Sequence, residues 1–302
     1  MEKKAKKKKE KKKRIFKKII IILLFLILIS FVDATIENIR VEIAINKFIN
    51  RAVDSYTVEA FDQVRMYHPI AREETYELTD TRSIFYDVQR EYLGKAGDIF
   101  TTRQSPFPKI FGVHQFVSYY FGGHAAIRDN ENGIYEAVGF PDDFSQMIDI
   151  ISLRGHDPSN AYGATGVKYN ADNYWLKKKV THSSAYDKYY RTEMFGLRVK
   201  NVTDDQIQQT LSYVEDHLHQ GAVYNFLFFL DMENKFYCSD LASRAYQSAL
   251  YPNENRTYPK ALNNDGFITS INDIILSKET YLTFYIRIKD DIVHLYYLED
   301  YS

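Results

Sequence analysis

The chain begins with a lysine-rich stretch that leads directly into an apolar run, and this order limits what the N-terminus can be. Residues 1–18 hold 12 Lys or Arg against two Glu, and residues 19–32 are 14 consecutive residues without charge. A basic region followed by an apolar one indicates a targeting segment, which is left out of the fold of the body. As a helix these residues rise about 21 Å, less than the ~30 Å of a bilayer core.

That short length favours a cleaved signal peptide, with cleavage after Ala34 and a secreted body. Lys17 and Lys18 could lengthen the span by snorkelling, which favours an uncleaved signal-anchor. We favour the anchor, with residues 15–32 in the membrane and 1–34 as the anchoring unit. In either case the lysines stay in the cytoplasm by the positive-inside rule, and the body lies outside.

The remainder of the chain is acidic, with 27 Lys or Arg against 38 Asp or Glu. An acidic body argues against nucleic acid as the main partner. The chain contains one cysteine, Cys238. It can therefore form neither an intramolecular disulfide nor a cysteine-rich zinc site.

Residues 35–92 are predicted to form a helical spacer. Over residues 35–66 most apolar residues stand three or four apart, without Gly or Pro, which is typical of an amphipathic helix; a break is expected near Ser55. The alternation from Ile39 to Ile45 would also suit a short strand. A second helical pattern covers residues 82–92.

From residue 93 onward the pattern is that of a folded domain, residues 93–302. Strands are predicted at 99–102, 115–121, 122–128, 134–140, 195–199, 282–288 and 292–298. A capping-box sequence at 203–206 predicts a helix to about His219, and a second helix is expected at 239–250. Residues 145–190 are irregular, and we interpret them as an insertion or a long active-site flank.

Cys238 is predicted to lie where a loop meets the second helix. Ser239 and Asp240 would occupy the first turn, where their oxygens are suited to accept the free backbone N–H groups. The helix dipole and these N–H groups stabilise a thiolate and make the cysteine nucleophilic. By itself, a lone cysteine is more often a small buried residue.

A thiol nucleophile needs a base, and His124 is the best candidate among eight histidines. Two glycines precede it, and Glu136 follows on the predicted hairpin partner, where a carboxylate could orient the imidazole. Singly, a strand His and a strand Glu are more often structural. His217 and His219 do not share a helix face, so they are not a metal pair.

Six segments occur in a fixed order: Gly-Asp-Ile-Phe, Gly-His-Ala-Ala-Ile, Tyr-Glu-Ala-Val-Gly, Leu-Arg-Val before the capped helix, Tyr-Asn-Phe-Leu-Phe, and Phe-Tyr-Cys-Ser-Asp-Leu. This order resembles the YiiX/YebB-like branch of the circularly permuted papain-like cysteine hydrolases, relatives of the NlpC cell-wall hydrolases. The resemblance covers about residues 93–250. It implies an α+β fold in which an antiparallel sheet or barrel carries the His and precedes the Cys-bearing helix.

The resemblance also implies site roles: Cys238 as nucleophile, His124 as base and Glu136 as the third member. Asp98, Tyr224 and Tyr237 would line the site. Asp240 stands where many relatives have Glu, and neither the insertion nor the N-terminal region has a counterpart, so the substrate stays open.

The expected activity is therefore acyl transfer by a cysteine amidase or peptidase, on a substrate such as a cell-wall peptide, without metal or cofactor. Two alternatives remain. One is a lipid acyltransferase or esterase using the same triad, and the other is a non-catalytic, membrane-tethered binding module.

Overall fold

The computed structural model describes residues 2–61, 63–104, 122–139, 165–176, 192–228, 230, 232–254, 260–263 and 268–300, with side chains from residue 10 onward. The helices are α1 Glu2–Ile49, α2 Thr75–Thr79, α3 Asp204–His219, α4 Cys238–Leu250 and α5 Ile271–Leu276, with a 3-10 turn at Tyr174–Leu176. The strands are β1 Tyr56–Ala60, β2 Gln63–Ile70, β3 Ile99–Thr102, β4 His124–Arg128, β5 Ile134–Val138, β6 Gly166–Asn170, β7 Glu193–Val199, β8 Val223–Tyr224, β9 Lys235–Phe236, β10 Thr280–Lys289 and β11 Ile292–Leu298.

Nine of the described strands form one sheet in the order β1-β2-β11-β10-β7-β3-β4-β5-β6. The β2–β11 pair is parallel and the other neighbours are antiparallel. β8 and β9 form a separate parallel pair. The fold is thus α+β, as predicted, with a mixed sheet rather than the purely antiparallel one that was expected.

Helix α1 contains an apolar segment and, further along, a segment that packs against the body. Its most apolar 18-residue window has a mean hydropathy of 3.0 and is 6% buried, so this helix is long and apolar enough to cross a membrane. Further along, one stripe of the same helix is buried, formed by Ala34, Glu37, Val41, Ile45 and Phe48. These steps of three or four residues place one helical face against the body, so the alternation from Ile39 to Ile45 does not produce a strand.

The prediction of a helical spacer over residues 35–92 is wrong beyond Ile49. Residues 56–70 form the hairpin β1–β2, which enters the main sheet by pairing with β11. Residues 82–92 are turns in which the Asp87 carboxylate accepts the N–H groups of Glu91 and Tyr92. The body therefore begins well before residue 93. The reason is non-local, because β2 finds its parallel partner only at the far end of the chain.

The strands around the candidate site were largely predicted. β3, β4 and β5 form an antiparallel meander in which Thr102 pairs with His124 and Ala126 with Glu136. The predicted C-terminal hairpin is also present as β10–β11, with Asp290 and Asp291 at φ of 52° and 60° in its turn. Two adjacent residues with positive φ are typical of a type I′ hairpin turn.

The presumed insertion at 145–190 is not all insertion. Residues 166–170 form β6, which pairs along the whole of β5 and forms an edge of the sheet. The same segment also contains the 3-10 turn Tyr174–Leu176. The predicted strand at 115–121 and residues 145–164 and 177–190 lie outside the described residues.

Helices α3 and α4 pack together, and α4 also contacts β4 and β5. The Thr203 hydroxyl caps α3 through the Gln206 N–H in the predicted capping box. Small and apolar side chains fill the buried face of α4: Leu241, Ala242, Ala245, Tyr246 and Ala249. The alanines allow close approach of α4 to the sheet, which fixes where its first residue lies.

Candidate active site

Cys238 is the first residue of α4, with Tyr237 at the N-cap position and 8% of the cysteine exposed. The predicted loop-to-helix junction is confirmed, but the predicted capping is not. The Ser239 hydroxyl donates to the Thr269 carbonyl at 2.6 Å, and Asp240 accepts from the Lys260 ammonium at 2.5 Å. The N-cap residue, Tyr237, makes no side-chain cap hydrogen bond.

His124 is the first residue of β4 and follows Gly123, whose φ is +77°. Its Nε2 lies 2.5 Å from Oε2 of Glu136. The Glu136 side chain is fully buried, whereas that of His124 is 17% exposed. The hairpin register places Glu136 opposite Ala126. Ala126 is two residues after His124 and lies on the same face of β4. The carboxylate thus reaches the imidazole diagonally across the strand pair.

Cys238 and His124 act on each other's pKa, and the N–H groups of Ala125 and Ser239 also act on the thiol. Glu136 occupies Nε2 of His124, which leaves Nδ1 as the ring nitrogen available to the thiol. Burial opposes charge on His124, but the bonds to Cys238 and Glu136 outweigh it and raise the pKa of His124 to about 9. Burial by itself would raise the pKa of the Cys238 thiol. The hydrogen bond and the positive charge of His124 together have the larger effect and lower that pKa. Both shifts act in the direction of a thiolate–imidazolium pair.

The sequence reasoning missed the side chains that hold Glu136. The Tyr174 hydroxyl donates to both carboxylate oxygens, at 3.0 and 2.8 Å, and the Asn170 amide donates to Oε1 at 2.6 Å. Trp175 stacks on the imidazole, with ring centroids 5.7 Å apart. All three lie in β6 or just after it, in the segment interpreted as irregular. The only signal for these residues in the sequence was the polar and aromatic run Asn173-Tyr174-Trp175. It lies within the stretch that we interpreted as an insertion or a long active-site flank.

Two predicted lining residues lie beside the cysteine. The Tyr237 hydroxyl accepts the Thr269 N–H at 2.9 Å. Tyr224 lies against Gly139, where an added Cβ would come within 2.7 Å of its ring. Burial is the main cause, and the charge on Cys238 a further one, of the raised pKa of Tyr224. Both phenols are therefore neutral groups close to the thiol.

Asp98, the remaining predicted lining residue, is not brought to the site. It precedes the Ile99–Ile127 pair, at the opposite end of the β3–β4 ladder from the Thr102–His124 pair. There its carboxylate accepts from Nε and Nη2 of Arg198 at 2.7 and 2.8 Å, with both side chains buried. Asp98 is a structural ion-pair residue.

The other described histidines lie elsewhere. His68 and His294 stack on one another across β2 and β11, and His217 lies against Phe236. His114, His156 and His182 are outside the described residues. Within the described part of the chain there is no group of three or more His, Cys, Asp or Glu residues that could hold a metal ion.

Comparisons with known proteins add no family to this geometry. No protein-family model, no curated protein and no solved structure gives a significant match to the chain.

Proposed function

We propose that the protein is a cysteine hydrolase that acts by acyl transfer through Cys238, His124 and Glu136. The observation that supports it is the 2.5 Å contact between the His124 imidazole and the buried Glu136 carboxylate, together with the mutual effect of His124 and Cys238 on each other's pKa. This is the arrangement of nucleophile, base and orienting group that covalent catalysis requires. The resemblance of the ordered motifs to permuted papain-like hydrolases agrees with these roles.

In the proposed reaction the Cys238 thiolate attacks a substrate carbonyl carbon. The oxyanion forms at the start of α4, where the Cys238 N–H is placed to stabilise it. The imidazolium of His124 then gives its proton to the leaving amine or alcohol as the carbonyl–heteroatom bond breaks. Water attacks the thioester, His124 takes its proton, and the acid product leaves the thiolate.

Each neighbour has a task in this scheme. Glu136 keeps Nε2 protonated, so that Nδ1 is the nitrogen that exchanges a proton with sulfur. Tyr174 and Asn170 hold Glu136 in place and keep it ionised, since each donates a hydrogen bond to it. A non-catalytic binding module would need none of these contacts, and we rank it below the hydrolase.

The proposed setting is a membrane anchored by α1, with the lysine-rich end in the cytoplasm and the body outside. The helix has the length and apolar character for this role. It also runs without a break through Ala34, the predicted cleavage position, and buries that residue. These features favour the signal-anchor over a cleaved signal peptide.

The test of the hydrolase is the reactivity of the single cysteine. The full chain in detergent micelles is treated with iodoacetamide at mildly acidic pH, and intact mass gives the alkylation rate. We expect the wild type to react at least about tenfold faster than a free thiol with the usual pKa of about 8.5. His124→Ala should remove the excess, and Cys238→Ala controls for other sites. Wild-type alkylation at the rate of a free thiol would disprove the activated nucleophile.

A further inference from the structure

Beyond Val32, helix α1 presents an apolar stripe that the body does not cover. Ile36, Ile39 and Ile43 are 45%, 55% and 62% exposed. Their spacing of three and four residues places them on one helical face, opposite the buried stripe of Ala34, Val41 and Ile45. We call Ile36, Ile39 and Ile43 the outer stripe.

The outer stripe continues the apolar surface of the proposed span on an unbroken helix. The uncharged run ends at Val32, but a hydrocarbon core of ~30 Å needs about 20 helical residues. Counted from Ile19, the first residue after the lysines, rather than from Ile15, that length reaches Asn38 and takes in Asp33. Headgroups extend the bilayer by several more ångströms on each side, about the rise from Asn38 to Ile43. The bilayer therefore accounts for the whole outer stripe.

The catalytic pair is connected to this part of α1 through α5. Asn272 of α5 donates to the Asn38 side chain at 3.1 Å. The neighbouring Ile271 lies against Gly123, where an added Cβ would be 2.8 Å from its Cγ1. Gly123 directly precedes His124. One short series of contacts thus joins Asn38 to the catalytic base.

A second connection, independent of α5, reaches α1 about one turn further along. Arg103 donates to Glu42 of α1 at 2.7 Å and also pairs with Glu193. Arg103 follows Thr102, which is the register partner of His124. Glu42 stands ten residues beyond Val32, a rise of about 15 Å. The site is thus connected to α1 at Asn38 and Glu42, which the count above places at the lipid headgroups or just above them.

We propose that the bilayer leaflet nearest the body covers the outer stripe, and that the Cys238–His124 site draws its substrate from that leaflet: a lipid with an acyl ester. This inference rests on the proposed function for the nucleophile and on α1 as the anchor. It selects the lipid among the substrate classes because acyl ester carbonyls lie at the boundary between headgroups and hydrocarbon. A soluble peptide would gain nothing from a site at that depth.

The reaction is an acyl transfer that needs no further reactant than water. The Cys238 sulfur bonds to the ester carbonyl carbon, and the carbon–oxygen bond to the glycerol breaks. His124 supplies the proton that makes the leaving group a lysolipid alcohol. Water then attacks the thioester, which releases a fatty acid and returns the proton to His124.

The depth test uses fluorescent labels on the full chain in vesicles of phosphatidylcholine and phosphatidylglycerol in equal parts. In a Cys238→Ala background, Ile36→Cys, Ile43→Cys and Val88→Cys each carry one environment-sensitive probe. Val88 is exposed, and its loop contacts Arg128 through Tyr86, at the far end of β4 from His124. We expect spin-labelled lipid to quench the probes at 36 and 43 and to spare the probe at 88. Equal quenching at all three positions, or none at 36 and 43, would overturn the docking.

The activity test raises the body away from the bilayer. A polar helical insertion of roughly seven residues between Val32 and Asp33 adds about 10 Å and nearly preserves the helical phase. We expect acylation of Cys238 by the vesicle lipids, and release of fatty acid, to fall by about tenfold or more. The same insertion within the lysine-rich stretch should leave both unchanged. Equal lipid acylation in both variants would overturn the inference.

Alkylation by soluble iodoacetamide separates this inference from the hydrolase proposal. If both insertion variants alkylate like wild type while only the first loses lipid acylation, the lipid assignment is supported. If wild type alkylates rapidly but neither takes an acyl group from lipid nor shows quenching at Ile36, the hydrolase stands and the lipid assignment fails. If wild type does not alkylate rapidly, the hydrolase proposal itself fails, whatever the quenching shows.

Discussion

The decisive interactions at the residue scale are those that keep Glu136 charged beneath His124. A buried carboxylate without partners would become neutral, because burial disfavours charge. Here Tyr174 and Asn170 donate to it, and His124 approaches it at 2.5 Å. The negative charge is therefore available to stabilise the imidazolium, which in turn stabilises the thiolate.

The first prediction concerns the pH dependence of Cys238 alkylation. The lowered pKa of Cys238 should keep thiolate present in mild acid, and the pKa of His124 near 9 sets the alkaline limit of the imidazolium. Catalysis, which needs the proton on His124, should fall as pH rises through about 9. In Glu136→Gln the imidazolium loses its neighbouring carboxylate, and the pKa of Cys238 should rise by about one unit. The fraction of Cys238 present as thiolate in mild acid should therefore fall about tenfold.

Glu136→Gln is the suitable variant because its amide can still accept from Tyr174 and Asn170. We expect kcat/KM to fall by about 10² as the base loses its orientation. Alkylation rates across pH, measured by intact mass, check the thiolate. An unchanged pH profile in Glu136→Gln would mean that the Glu136 side chain only fills space.

The helix start at Cys238 and the hairpin that brings Glu136 to His124 could be predicted from the sequence, because both depend on local rules. The association of Cys238 with that hairpin was implied only by the resemblance of the ordered motifs. Tyr174 and Asn170 could not be found in this way. They reach Glu136 only because β6 pairs with β5, and β6 lies within a polar stretch without clear periodicity.

At the scale of elements, β4 must enter the sheet at a fixed angle to present His124, and Gly123 makes this possible. Its φ of +77° is costly for other residues, and an added Cβ would lie 2.4 Å from the Thr102 carbonyl oxygen and 2.8 Å from Ile271. A side chain here would have to displace backbone on one side and α5 on the other.

The second prediction follows for Gly123→Ala, with Gly221→Ala as its matched control. Gly221 also has a positive φ, of +67°, but nothing lies within 4 Å of its Cβ position. Both variants should lose about 1 kcal/mol of unfolding free energy from backbone strain. Only Gly123→Ala should lose a further ~1–3 kcal/mol, by analogy with overpacking, and slow Cys238 alkylation. Urea unfolding and alkylation of the folded protein measure the two effects; equal losses would contradict the clash.

The elements that were predicted wrongly share one cause. β1 and β2 carry spacing that suits a helix, but β2 is held as a strand by pairing with β11, and β1 by pairing with β2. His68 of β2 and His294 of β11 are in contact although 226 residues separate them. Local propensity is a weak guide where such a distant partner decides. By contrast α3 and α4 were predicted well, since their caps and apolar faces are local.

At the scale of the whole molecule, a buried ion pair ties the sheet to the loop before it. Arg198 of β7 bonds the Asp98 carboxylate and also donates to the carbonyls of Arg82 and Ser83. Asp80 lies 3.3 Å from Arg198 as well. This network stands at the opposite end of β3 from His124, so its role should be stability alone.

The third prediction is that Asp98→Asn destabilises the fold without changing the site. Breaking a buried pair costs about 3–5 kcal/mol, and we expect a loss near the lower end of that range because Asp80 still lies 3.3 Å from Arg198. The urea midpoint should fall accordingly, while folded protein should alkylate at Cys238 as wild type does. Asp205→Asn, on an exposed position of α3, should shift the midpoint little. Slower alkylation of Cys238 in folded Asp98→Asn would instead show that Asp98 contributes to the candidate active site.

The last prediction is that α1 stays uncleaved and anchors the chain in the membrane. Cleavage after Ala34 would cut α1 within an unbroken helix, at a residue that is 2% exposed, whereas proteases bind their substrates extended. The next buried positions, Glu37 and Val41, hold the same helix against the body. We therefore expect the expressed chain to keep its N-terminus and its mass of 35.5 kDa, and to stay with membranes after an alkaline carbonate wash.

The control for anchoring is Ile36→Pro, which should break the helix just past the proposed cut. Pro in a helix interior costs about 3 kcal/mol and removes a backbone hydrogen bond. If cleavage is prevented by the helix, this variant should release a shortened product from cells that leave the wild type intact. A wild-type chain that starts at Thr35 and washes off the membrane would contradict the anchor. In such a chain no bilayer would cover the outer stripe, and the physical argument for a lipid substrate would no longer hold.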